Sequence, residues 1–191
     1  MATPSAYAAP AGLRSGPSAA KIAVWWFLAS EIMVFGGLLA SFVVFRLGGG
    51  RWYDASEHLG VTLAAVNTLI LLTSSLTIVQ AFAAAERGDE PGVRRGLALT
   101  VLGGVAFLGV KAVEYSIEVS HGFVPSAGIF WSFYYTMTGL HALHVLGGVV
   151  VNAVLLAAPR ARTARRVEMA GLYWHFVDVV WIFLFPLLYL S

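Results

Sequence analysis

Residues 59–85 read LGVTLAAVNTLILLTSSLTIVQAFAAA, a run without one Asp, Glu, Lys or Arg. The run exceeds the roughly 18 apolar residues that cross a hydrocarbon core of about 30 Å as a helix. Inside lipid every backbone N–H and C=O must be satisfied within the protein, so only helices and closed barrels span. A barrel strand would alternate apolar and polar residues, and this run does not, so it reads as a helix.

Working outward, the same pattern recurs four times. Residues 22–45 carry Glu31 as their only charge, and residues 96–117 carry Lys111 and Glu114. A fourth span lies within residues 122–158, again free of Asp, Glu, Lys and Arg, and a fifth covers residues 169–190 with Asp178. The fold class is therefore all-α: a polytopic membrane protein with five transmembrane helices in a bundle. Bulk composition agrees. The 191 residues are 59% hydrophobic and 12% charged with mean hydropathy +0.79, against about 25% charged in a soluble domain. So little charge cannot cover a water-facing surface of this size. Cysteine is absent, which excludes disulfides, thiolate metal ligands and haem attached through Cys-x-x-Cys-His.

Residues 1–21 are rich in Ala, Pro, Ser and Gly and read as a flexible N-terminal tail ahead of a five-helix transmembrane domain over 22–191. The tail lacks a cleavable signal's apolar centre, and one Arg in its first twenty residues makes a poor transit peptide. Turn-forming stretches separate the spans at 47–54, 86–92 and 159–166, and a short connection near 121–126 makes the third and fourth antiparallel neighbours. There is no internal repeat of the transporter kind.

Charge placement sets topology. Arg14, Lys21, Arg87, Arg94, Arg95, Arg160, Arg162, Arg165 and Arg166 fall on one side, nine against Arg46 and Arg51 on the other. By the positive-inside rule the N-terminus faces the cytoplasm and Ser191 the outside. The basic residues thus report orientation, and nucleic acid is not an expected partner.

Charges within spans are costly, at about 2.5–3.5 kcal/mol each near the bilayer centre on insertion scales, so Glu31, Lys111, Glu114 and Asp178 must pair, reach an interface or be neutral. Lys111 and Glu114 are three apart on one helix face and can pair with each other near the outer end of their span. His141 and His144 repeat that spacing, as do His175 and Asp178. Glu168, Gly171, His175 and Asp178 form one polar stripe that must face other helices. Three roles are open to the imidazoles: locking helices by hydrogen bonds, relaying protons, or ligating a metal or haem. Two histidines on one helix face cannot hold both sides of one iron, although His175 could supply the second. The string His141-Ala-Leu-His144 lacks the Glu and spacing of a zinc-protease helix, and there is no Gly-x-Ser-x-Gly elbow. Gly36-Gly37, Gly103-Gly104, Gly147-Gly148, Gly109 and Gly139 suit close helix approach, and Trp25, Trp26, Trp52, Trp131 and Tyr189 read as interfacial anchors.

Four strings taken together resemble one family. They are Trp26-Phe-Leu-Ala-Ser-Glu-Ile-Met-Val-Phe-Gly-Gly37, Gly109-Val-Lys-Ala-Val-Glu-Tyr115, Thr138-Gly-Leu-His-Ala-Leu-His-Val145 and Tyr173-Trp-His-Phe-Val-Asp-Val-Val-Trp181. Over about residues 22–190 the chain closely resembles subunit III of the haem–copper terminal oxidases, in the short bacterial form without the first two of seven helices. The resemblance implies a non-catalytic accessory subunit of a multi-pass kind in a bacterial plasma membrane. It would stabilise catalytic subunit I and support proton uptake as cytochrome c reduces oxygen to water. Haem and copper would lie in partner subunits, none in this chain, with phospholipid bound along its helices. Glu31, His141, His144, His175, Asp178 and Glu114 fall on the family's intramembrane polar positions, and Glu31, His144 and Asp178 are expected to form an interhelical network. Lys111 stands where many members have a glutamine-like residue, so no role carries over to it. Quinol-oxidase and nitric-oxide-reductase-associated relatives share much of the pattern, and a small ion-coupled transporter using Glu31 and Asp178 is the rival from another class.

Overall fold

The computed structural model describes residues 19–48 and 59–190. Most of the expected tail, the turn after Leu47 with Arg51 and Trp52, and Ser191 lie outside the described residues. Five long helices follow in order: α1 Ala19–Leu47, α2 Val61–Glu86, α3 Glu90–Ser120, α4 Ile129–Ala157 and α5 Ala164–Tyr189. All five are long and apolar enough to cross a membrane, and the described residues contain no strand.

Two of these helices begin ahead of their apolar cores, and local chemistry explains why. Asp89 caps α3 by accepting from the Gly92 amide at 3.1 Å, with Pro91 in the first turn where a missing N–H costs nothing. The helix therefore starts at Glu90, six residues before the span read from sequence at 96–117. Thr163 caps α5 in the same way through the Arg166 amide. The α2–α3 and α3–α4 turns pass through Gly88 and Gly122, at φ +71° and +86°, where a side chain would be strained.

Helices α2, α3, α4 and α5 pack in a ring, each against the next, with α5 closing back on α2; α1 lies outside against α4 and α5. In α1 only Leu28, Phe35 and Phe42 are buried, seven residues apart, so one narrow seam holds it. The centre of the ring is aromatic. Phe107 of α3 meets Trp181 of α5 edge to face at 4.9 Å, a geometry worth about 0.5–1.5 kcal/mol beyond area burial.

The glycines divide into two sets. Gly103 lies against Ser74, and Gly104 and Gly148 lie against Trp174, closely enough that a methyl group would collide. Gly36, Gly37 and Gly109 have nothing within 4 Å of where a Cβ would stand, so the expectation of close approach fails there: these three face outward. The anchor reading is corrected likewise. Trp25 and Trp26 are exposed, but Trp131 and Tyr189 are buried. Trp131 stacks on Phe123 at 4.5 Å, and Tyr189 turns inward to a charged partner described next.

Candidate functional site

The polar residues inside the bundle fall into separate clusters, each tying particular helices together. The most enclosed surrounds Lys111. Its ammonium donates to Glu114 Oε2 at 3.1 Å, to the Tyr189 hydroxyl at 2.8 Å and to the Tyr134 hydroxyl at 3.2 Å. Tyr134 and Tyr189 in turn donate to Glu114 Oε1 at 2.7 and 2.5 Å. The rings of Tyr115, Tyr134, Trp181 and Tyr189 lie 5.0–5.5 Å from the ammonium, within cation–π range. Lys111 and Glu114 are only 3% and 2% exposed, so the pair is desolvated and depends on these partners. The cluster joins the C-terminal third of α3 to the start of α4 and the last turn of α5.

A second cluster holds α1. Glu31 Oε2 lies 3.1 Å from His144 Nε2. The other ring nitrogen, Nδ1, faces the Leu140 carbonyl at 2.9 Å, and a carbonyl can only accept, so Nδ1 carries a proton. Nε2 and Oε2 then share one proton in the remaining bond. Nearby, Lys21 of α1 and Glu168 of α5 form an ion pair at 2.5 Å, and Tyr173 donates to the His144 carbonyl at 2.9 Å.

A third cluster joins α2 to α5. Ser75 Oγ and His175 Nδ1 are 2.6 Å apart. Asp178 lies beside Ser75, with neither oxygen in full hydrogen-bonding geometry. On the same seam Trp174 donates to Ser74 Oγ at 3.0 Å and Trp181 to Thr68 Oγ1 at 2.9 Å. The stripe anticipated on α5 thus faces two helices: Glu168 meets α1, while Gly171 over Ile78 and His175 on Ser75 meet α2.

His141 stands apart from all three. It is fully buried, stacked on Trp181 at 5.1 Å and edge-on to Phe107 at 5.6 Å, and neither ring nitrogen has a hydrogen-bond partner among the described residues. Asp178 is on α5 beside Ser75 of α2, and no hydrogen bond joins it to Glu31 or His144 among the described residues. His144 has both nitrogens engaged. Among the described residues no three His, Asp or Glu side chains converge on a point that could hold a metal ion.

Sequence reasoning missed Tyr134, Tyr189, Ser75 and the Lys21–Glu168 pair. The first two had a usable signal: Lys111 has one carboxylate within a turn, and a desolvated ammonium needs further oxygen ligands, which phenols near span ends can supply.

Comparison with known proteins covers nearly the whole chain. The family described as "Cytochrome c oxidase subunit III" matches residues 15–191. "Cytochrome c oxidase subunit 3" of Corynebacterium diphtheriae is 40% identical over 183 residues, covering 91% of this chain and 88% of that protein. "Probable cytochrome c oxidase subunit 3" of Mycobacterium tuberculosis is 38% identical at the same coverage. The protein named "Cytochrome c oxidase subunit 3" in Thermostichus vulcanus is 35% identical over 170 residues, covering 86% of this chain and 83% of that one.

Proposed function

The chain belongs to the cytochrome c oxidase subunit III family, and from that premise we propose that it is the accessory subunit of an aerobic respiratory haem–copper oxidase. The family match over residues 15–191 carries this reading. The interior geometry supports it, because Glu31, one of the two acids a carrier would use, and Glu114 are engaged in joining helices. Glu31 is bound to His144 and Glu114 to Lys111 and two tyrosines.

In this reading the chain sits in a bacterial plasma membrane with its N-terminus inside, the side favoured by nine basic residues against two. It packs beside catalytic subunit I, which with other oxidase subunits holds the haem and copper, and phospholipid fills its outer grooves. Its part in oxygen reduction is to keep the catalytic subunit assembled and its proton uptake sustained through turnover. Glu31, Glu114, His141, His144, His175 and Asp178 serve that role by fixing the bundle, with local proton buffering at the Glu31–His144 bond, where one proton is already shared.

Gentle solubilisation through a tag on this chain, followed by mass spectrometry and a visible spectrum, tests the proposal. Haem-bearing oxidase subunits and the absorption bands of the haems should co-purify. A chain that purifies alone and moves ions in liposomes would overturn the reading.

A further inference from the structure

The Ser75–His175 bond lies near the centre of α5 and has a costly neighbour. Asp178 is 4% exposed, and neither carboxyl oxygen has a hydrogen-bond partner among the described residues. No Lys, Arg or His of the described residues pairs with it. An acid inside a span must pair, reach an interface or give up its charge. Asp178 does neither of the first two, so it holds a proton. Ser75 and His175 would tie α2 to α5 equally well without it, so joining helices does not account for the acid.

A protonated carboxyl is a donor, and its polar neighbour is Ser75. That sets the direction of the remaining bonds. Asp178 faces Ser75 Oγ as donor, and Ser75 donates to His175 Nδ1, 2.6 Å away. A neutral imidazole that accepts at Nδ1 carries its proton on Nε2. Nε2 makes no hydrogen bond among the described residues and, unlike the Asp178 oxygens, is not enclosed. The row of donors therefore runs from an enclosed acid on α5, through a hydroxyl on α2, to the surface of the α2–α5 seam. Leu72 and Val79 of α2, three before and four after Ser75, are exposed on that surface, as is Val179 of α5, four after His175. At this depth lipid tails offer an N–H no acceptor, whereas a polar side chain on an adjoining helix does.

We propose that Asp178, Ser75 and His175 form a proton relay from a buried acid to a hydrogen-bonding side chain on a partner subunit's transmembrane helix, packed over the α2–α5 seam. In one delivery the Nε2–H bond breaks and its proton passes to the partner's acceptor. Ser75 gives its hydroxyl proton to Nδ1 and takes the carboxyl proton of Asp178. Asp178 is left as the carboxylate, Ser75 is again a hydroxyl, and His175 stays neutral with its proton on Nδ1. The same path run backwards reloads the acid, so the chain stores one proton for its partner. The relay is separate from the Glu31–His144 bond and deepens the oxidase reading, on which the identity of the partner rests.

The test uses the full complex in lipid nanodiscs, moved from light to heavy water and followed by infrared spectroscopy. A carboxylic-acid C=O band that Asp178→Asn removes should be present, and it should shift as the acid exchanges its proton. His175→Asn keeps a partner for Ser75 where Nδ1 stood but has no outer nitrogen. It should slow the exchange by about 100-fold, the low end of what a positioned proton carrier contributes, with the thermal midpoint unchanged. Ser75→Ala should slow exchange equally and Ser75→Thr restore it. A photoreactive side chain introduced at position 179 should capture another oxidase subunit. Absence of any acid band lost in Asp178→Asn would overturn the proposal, as would exchange in His175→Asn as fast as in the parent, or capture of lipid alone at position 179. Co-purification of haem-bearing subunits is scored separately, so a failed relay and a failed functional assignment give different results.

Discussion

Lys111 and Tyr189, 78 positions apart in the chain, meet ammonium to hydroxyl at 2.8 Å. The same hydroxyl passes its proton's bond on to Glu114, which also receives Lys111 and Tyr134. The closed circuit pins the last turn of α5, just beyond Pro186, to the C-terminal third of α3. Both charges are buried, at 3% and 2% exposure, so each depends on the other and on the two phenols for the partners that water would otherwise supply.

Removing one member should therefore cost more than removing both. Lys111→Met leaves Glu114 buried without its cation, expected to destabilise by about 3–5 kcal/mol. Lys111→Met/Glu114→Leu removes both charges from an aromatic pocket and should recover a large part of that loss. Thermal unfolding of the purified complex, followed by release of this chain, distinguishes them. A double variant as unstable as the single would show that the charge pairing is not the cause.

How far such contacts could be read from sequence depends on what sets them. The five spans follow from the length of their apolar runs, and all five helices are present with ends moved mainly by caps such as Asp89 and Thr163. The stripe Glu168, Gly171, His175 and Asp178 was legible as a face because helical periodicity fixes it. Its partners Lys21, Ile78 and Ser75 were not, since they depend on the rotation of other helices. Spacing also treats His141 and His144 alike, yet one lies among rings and the other on an acid. From sequence Tyr189 reads as an interfacial anchor because terminal aromatics commonly are, and only the fold turns it towards Lys111.

The two sets of glycines predict opposite responses to one methyl group. At Gly104 a Cβ would stand 2.5 Å from Val149 Cγ2 and 2.6 Å from Trp174 Cη2. Gly104→Ala should cost about 1–3 kcal/mol by overpacking. Gly36→Ala meets nothing and should be neutral or stabilising by up to about 1 kcal/mol from helix propensity. The midpoint of thermal unfolding in the same complex is the comparison to make, and equal losses would contradict the packing described.

Glu31 provides one of the few polar ties between α1 and the ring. Glu31→Ala breaks the bond to His144 and should loosen α1, at about 1–3 kcal/mol for an orphaned partially buried group. Yield of assembled complex and the number of turnovers before inactivation should fall, with the haem bands of assembled complex unchanged. Altered bands would point to a direct effect of this residue on the redox centres, which the proposed role excludes.

The two histidines of α4 separate hydrogen bonding from packing. His141 has no hydrogen-bond partner among the described residues and packs against the rings of Trp181 at 5.1 Å and Phe107 at 5.6 Å. A phenyl ring reproduces those contacts, so His141→Phe should cost less than about 1.5 kcal/mol. His144 bonds through both nitrogens, to Glu31 and to the Leu140 carbonyl. His144→Phe keeps the edge contact with Phe35 but strands the Glu31 carboxyl, and its loss should match that of Glu31→Ala. Because the two groups act through one bond, the Glu31→Ala/His144→Phe pair should be well short of additive. Thermal midpoints of the three variants measure this directly. Equal sensitivity at His141 and His144 would mean that His141 holds a hydrogen-bond partner in the assembled complex, and the separation of the clusters would have to be redrawn.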